Sequence, residues 1–240
     1  MVDIFIFMAL PYTSLLIMII GSIFMYRLQA FKISALSTQL LESKQLYFGS
    51  QFMHWGIITL FFGHLLGFLI PQSIIVWNGD ALRLLVLEGT ALVFGIMFFS
   101  GLCILIYRRI TNKKLHSLTS DMDFIVYAVL LTQAISGIWI AIALPWGSSW
   151  FASVLSPYLK SLFVLQPDIA AVSAMPLVVK IHISTAFILI GLIPFSRFMH
   201  FLVFPFQYVF RAYQVVIWNR NKSTIRNSTA INPEVKAKNN

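Results

Sequence analysis

The apolar residues of this chain arrive in blocks of about twenty, the helix length that crosses the hydrocarbon core of a bilayer. No water reaches that core, so a crossing segment must satisfy its backbone internally, and blocks of this length predict transmembrane helices. Five are legible, at residues 4–26, 52–70, 84–107, 124–144 and 177–195, with an apolar continuation of the last through 201–206. Charged residues make up only 10% of the chain and hydrophobic ones 59%, too little polar surface to cover a water-soluble globule. The expected fold class is all-α integral membrane, a bundle of about five transmembrane helices within residues 1–218. Residues 219–240, rich in Asn, Lys and Ser, read as a disordered tail.

The N-terminal residues lack a basic region and a small-residue cleavage site, so the first block is expected to stay as a helix. Cys103 is the single cysteine, which excludes an internal disulfide, a Cys-ligated iron–sulfur cluster and covalent haem attachment. The net charge of +9 would suggest nucleic acid in a soluble chain, but here the basic residues lie at helix ends and in the tail, and no nucleic-acid partner is expected. Arg27, Lys32 and Lys44 follow the first block, and Arg108, Arg109, Lys113 and Lys114 follow the third. Arg197, Arg211, Arg220, Lys222, Arg226, Lys236 and Lys238 follow the fifth. Only Arg83, Lys160 and Lys180 fall on the other side, which puts the N-terminus outside and the C-terminus in the cytoplasm. The link 145–176 carries Trp146 and Trp150, residues that suit an outer interfacial belt, and its stretch 153–166 is expected to form a short helix capping the outer side.

Four of the five histidines sit in or at the edge of these blocks: His54 and His64 in the second, His182 in the fifth, and His200 at or just past its end. His116 lies in a basic loop and is not expected to be a ligand. An imidazole in hydrocarbon needs both nitrogens satisfied. Haem iron satisfies one nitrogen and a hydrogen bond the other. A single such histidine is more often a packed structural residue, but two on each of two blocks weaken that explanation. If the second and fifth helices are antiparallel, His64 and His182 lie toward the outer face and His54 and His200 toward the cytoplasmic face. Two histidine pairs at two depths are what two stacked six-coordinate haems need. In straight helices His54 and His64 would be about 15 Å apart and His182 and His200 about 27 Å, a mismatch that Pro194 relieves if it kinks or ends the helix. Gly56, Gly63 and Gly67 beside the ligands would admit a flat macrocycle, with close helix packing as the rival explanation.

The stretches Ser37-Thr-Gln-Leu-Leu-Glu-Ser-Lys44, Phe52-Met-His-Trp-Gly56, Phe62-Gly-His-Leu-Leu-Gly67, Val179-Lys-Ile-His182 and Pro194-Phe-Ser-Arg-Phe-Met-His200, followed by Pro205 and the aromatic run to Tyr213, carry a likeness. In these the chain resembles the cytochrome b gamma subunit of membrane-bound respiratory nitrate reductase, over nearly its whole length except the tail. The resemblance implies a cytoplasmic-membrane subunit that anchors a molybdenum-containing alpha catalytic subunit and an iron–sulfur beta subunit on the cytoplasmic face. It implies oxidation of membrane quinol near the outer face and inward electron transfer through two b-type haems. His64 and His182 would hold the outer haem and His54 and His200 the inner one, with Gly63 near the quinol pocket. Some members carry a lysine at the start of the third span; here Leu85 aligns with it, and Arg83 is the nearest base and a candidate quinol contact. Glu88 is either a proton acceptor or a partner of Arg83. Arg197, like Arg108 and Arg109, is a candidate contact for haem propionates, although helix-end cations serve topology as well.

Two other readings remain at this point. One keeps both haems and exchanges the partner for a reductase of sulfur or other compounds. The other is a transporter using histidines for metal or protons, which would need acidic or sulfur co-ligands that the blocks almost lack.

Overall fold

The computed structural model describes residues 2–29 and 44–202, which belong to the first of two compact units, Met1–Val203. Lys32, the stretch 37–43, the continuation beyond 202, the basic residues from Arg211 onward and the expected tail at 219–240 lie outside the described residues. Among the described residues five helices are long and apolar enough to cross a membrane: α1 (Val2–Leu28), α2 (Lys44–Leu69), α4 (Ala81–Thr111), α5 (Asp121–Ala143) and Leu177–Phe195, whose α-helical part is α7 (Leu177–Leu192). A short α3 (Pro71–Trp77) joins α2 to α4, α6 (Ser156–Phe163) lies in the long link, and α8 (Met199–Leu202) follows α7. The described residues contain no strand, so the all-helical membrane class holds.

The helix ends differ from the apolar blocks for a physical reason. Hydropathy marks what hydrocarbon can cover, whereas a helix runs until its caps or a proline stop it. α2 is therefore already helical at Lys44, eight residues before the apolar block. α4 starts where the Asp80 carboxylate accepts from the Leu82 and Arg83 amides. α5 starts with a reciprocal capping box between Ser120 and Asp123. α7 stops at Leu192, and Pro194 sits in a 3-10 turn at Ile193–Phe195. The expected straight continuation is thus broken before α8, and the 27 Å separation calculated for a continuous helix does not apply.

Two prolines explain two irregular turns. Pro11 has no amide proton to give the Phe7 carbonyl four residues earlier, and a π turn spans Phe5–Ala9. The Tyr158 hydroxyl fills the gap, donating to the Phe7 oxygen at 2.8 Å. Burial pushes the Tyr158 hydroxyl up, so it stays a donor. A second π turn, Phe151–Leu155, precedes Pro157 in the same way. The helix expected within 153–166 is therefore present as α6 behind a π turn. It closes over the bundle end through Tyr158, through Ser156 donating to the Gly67 carbonyl at 2.8 Å, and through Tyr12 donating to the Leu162 carbonyl at 3.0 Å.

Packing runs α2 against α4, α4 against α5, α5 against α7 and α7 against α1. One apolar cluster joins Phe7, Tyr158, Val172, Val179, Ile183 and Phe187. Another joins Phe98 and Leu102 of α4 to Val126, Leu130 and Ala134 of α5. Large side chains such as Phe24, Phe61, Phe62, Val93 and Trp139 stay exposed, as lipid-facing residues do. Small residues let α2 and α4 touch: a Cβ on Gly56 would lie 2.6 Å from the Phe98 amide nitrogen, and one on Gly101 2.8 Å from the Gly49 carbonyl. Gly67 faces the Phe151 ring, 2.8 Å from where its Cβ would be. At Gly56 and Gly67 close packing is therefore the explanation, and of these three Gly63 alone opens onto space, with no atom within 4 Å of a Cβ.

Candidate functional site

The row of helices curls, so that α2 and α7 bring two of the four histidines together. The rings of His64 and His182 have centroids 6.5 Å apart and planes inclined by 33°. An imidazole nitrogen binds a metal at about 2.0 Å, so two ligands on opposite sides of one iron need centroids about 6 Å apart. The edge-on Phe151 ring, 5.3 Å from His64, covers this end of the pair.

Hydrogen bonds fix which nitrogen each ring presents. His64 donates from Nδ1 to the Leu60 carbonyl at 2.8 Å, and His54 from Nδ1 to the Ser50 carbonyl at 2.8 Å, each one turn back along α2. His200 donates from Nδ1 to the Arg197 carbonyl at 2.6 Å. A carbonyl only accepts, so the proton is on Nδ1 in all three, and Nε2 keeps its lone pair with no partner among the described residues. That tautomer, with its Nδ1–H held by an outer acceptor, is the one a haem ligand needs. His54, His64 and His200 are exposed on the protein surface, while His182 is half-buried. The His64–His182 pair fits one bis-histidine haem, and no contact between His54 and His200 is seen among the described residues. His54 and His200 are each oriented by their own segment, whereas His64 and His182 already face each other.

His182 is held differently. Ser136 of α5 donates its hydroxyl to the Thr132 carbonyl at 2.6 Å, and its oxygen lies 3.0 Å from His182 Nδ1. Ser136 therefore accepts the Nδ1 proton. Gln133 Nε2 is 3.0 Å from His182 Nε2, and Thr185 donates to the Gln133 carbonyl oxygen. The Gln133 amide has to turn aside for a metal to reach that nitrogen. Gly137 leaves room for the ring: a Cβ there would meet His182 Cε1 at 2.9 Å. Sequence reasoning missed all three α5 residues. The available signal was Gln-x-x-Ser-Gly, polar and small residues on one helical face of an otherwise apolar block.

The remaining candidates land as follows. Arg83 lies 3.9 Å from Asp80 with its guanidinium 5.4 Å over the Trp77 ring, and its side chain is 49% exposed. Glu88 does not pair with it. Its oxygens accept from the Trp146 amide at 3.3 Å, the Ser148 amide at 3.2 Å and the Ser148 hydroxyl at 3.1 Å, so this carboxylate fastens the link after α5. Those backbone donors sit nearer than Arg83, and no sequence spacing announced them. Arg197, a candidate propionate contact, forks onto Asp123 at 2.8 and 3.0 Å and also donates to the Leu118 carbonyl at 3.1 Å. That carboxylate raises the Arg197 guanidinium above its ordinary value. Arg109 reaches the same carboxylate at 3.7 Å, and Arg108 is buried. His116 packs against Phe124 at 6.0 Å, away from the other rings. Among the described residues no three His, Cys, Asp or Glu side chains gather as a metal-ion site.

Comparison with known proteins agrees with this frame. The family model for the nitrate reductase gamma subunit matches residues 3–219. The nitrate reductase gamma chain of Bacillus subtilis is 32% identical over 210 residues, 86% of this chain and 94% of its own. The respiratory nitrate reductase 2 gamma chain of Escherichia coli is 27% identical over 222 residues, 89% of this chain and 96% of its own. A nitrate reductase-like protein, NarX, of Mycobacterium tuberculosis is 33% identical over 215 residues, 85% of this chain and 32% of that longer protein. A match across most of the sequence, on five helices able to cross a membrane, settles the assignment: the chain belongs to the nitrate reductase gamma subunit family and is a multi-pass protein of the cytoplasmic membrane.

Proposed function

We propose that this chain is the quinol-oxidising dihaem cytochrome b subunit of a nitrate reductase, with His64 and His182 as axial ligands of one haem b and His54 and His200 of the other. The observation that carries this reading is the His64–His182 pair, spaced for one iron, together with the Nδ1–H tautomer at all four imidazoles. Bound there, haem supplies one-electron transfer through the thickness of the membrane, chemistry that no side chain here provides. The protein's part would be to hold each haem iron between two imidazoles, which would leave no site for oxygen chemistry. Paired imidazoles favour this over a metal-transport site, and the family favours nitrate over a sulfur compound as the terminal substrate of the complex.

Orientation follows the basic residues, with the N-terminus outside. The His64–His182 end, where Glu88 and α6 close the bundle, is then the outer end, and protons released by quinol there stay outside. Gly63 provides clearance beside His64, and the exposed Arg83 guanidinium is a donor for a quinol oxygen in place of the lysine that Leu85 replaces. Glu88 keeps the roof in place, its oxygens accepting from three donors of the link. The basic end, with Arg108, Arg109, Lys113 and Lys114, faces the iron–sulfur and molybdenum subunits. Stopped-flow reduction by a short-chain quinol tests the placement. His64→Ala is expected to remove one haem and to abolish quinol-driven reduction of the other. Reduction of the remaining haem at the wild-type rate would overturn it.

A further inference from the structure

We propose that Ser136 is the positioning residue of the outer centre: it fixes the ring plane and the donor strength of His182 from a neighbouring helix. This rests on the reading of His64 and His182 as axial ligands. His54, His64 and His200 all donate Nδ1–H to main-chain carbonyls of their own segments, bonds that no side-chain change removes. His182 differs in donating to a side chain of another helix; the Ser50 hydroxyl, 3.2 Å from His54 Nδ1, belongs to the same residue as that ring's main-chain acceptor. Ser136 is 4% exposed, and its own proton goes to the main-chain carbonyls one turn back, Thr132 at 2.6 Å and Gln133 at 3.2 Å, which leaves its oxygen to accept from the ring. Gly137, the next residue, clears the Cε1 edge of the same ring. Gln133, one turn earlier and tied to Thr185, meets the opposite nitrogen. One face of α5 is thus a preformed cradle for a single imidazole.

Such an outer acceptor acts in two ways. It stops rotation of the ring about its bond to Cβ, and it pulls on the Nδ1 proton, which makes Nε2 a stronger donor to a metal. A stronger donor stabilises the oxidised state, so loss of the acceptor raises the midpoint potential. The effect is confined to one centre because both ligand rings of the other, His54 and His200, are held by backbone carbonyls.

The test is a redox titration with low-temperature electron paramagnetic resonance on the purified complex. Ser136→Ala is expected to keep two haems per chain and to raise the potential of the centre that His64→Ala removes. The low-field signal of that centre moves, while the other centre stays as in wild type. Ser136→Thr, which keeps the hydroxyl, restores both values. Gly137→Ala, whose new methyl meets the ring, shifts the same centre with Ser136 intact. Unchanged potential and signal in Ser136→Ala, or equal shifts at both centres, would overturn the inference while leaving the ligand assignment standing. A wild-type complex with no centre sensitive to His64→Ala would remove the ligand assignment and this inference together.

Discussion

The four histidines stand out because imidazole in an apolar block has no cheap bland explanation. Their supporting residues do not stand out. A serine in a membrane helix commonly bonds back to the carbonyl one turn earlier, as Ser136 does, and only the packing of α5 on α7 shows that its oxygen also meets His182. Arg197 shows the same limit. A basic residue three places from a candidate ligand invites a propionate, yet its carboxylate partner, Asp123, lies 74 residues away on α5. That fork ties the segment carrying His200 to the start of α5, since the Arg197 carbonyl orients the His200 ring. Asp123 is 8% exposed and Arg197 is nearer the surface. Replacing Asp123 with Asn leaves one guanidinium without its charge partner and weakens another, which costs on the order of 2 kcal/mol. Thermal unfolding in detergent is expected to show a lower midpoint for Asp123→Asn, with the centre ligated by His200 lost before the other on heating.

At the scale of helices, the apolar blocks located all five spans and both ends of the fifth, 177–195, but misplaced ends of the others, because caps and prolines, and not hydropathy, stop a helix. The order of packing was not legible at all, since each block is apolar on nearly every side. The glycines carry that information in hidden form. Gly56 and Gly63 look alike in sequence, each next to aromatic and histidine residues, but one touches the backbone of α4 and the other faces open space. Gly56→Ala is therefore expected to force α2 and α4 apart and to lower the yield of folded, haem-loaded protein several-fold. Gly63→Ala is expected to fold like wild type and to change only the response to quinol. Parallel purification and thermal scans compare them, and equal stability of the two variants would contradict the packing assignment.

For the whole molecule, the curled row α2–α4–α5–α7–α1 explains how histidines 118 residues apart in sequence, His64 and His182, come within one iron's width of each other. In a straight row α2 and α7, separated by α4 and α5, would not meet. Closure at that end is built from α6, the two π turns and the Glu88 contacts, all of which follow from Pro11, Pro157 and the long link. The central claim is that this fold holds two bis-histidine haems, one per cross-helix pair. The most direct measurement is haem content per chain with a reduced-minus-oxidised spectrum, on wild type and on each histidine variant. The account predicts two low-spin b-type haems, one lost in both His64→Ala and His182→Ala and the other lost in both His54→Ala and His200→Ala. A single haem in the fully loaded wild type, or the same haem lost in His54→Ala and His182→Ala, would contradict it.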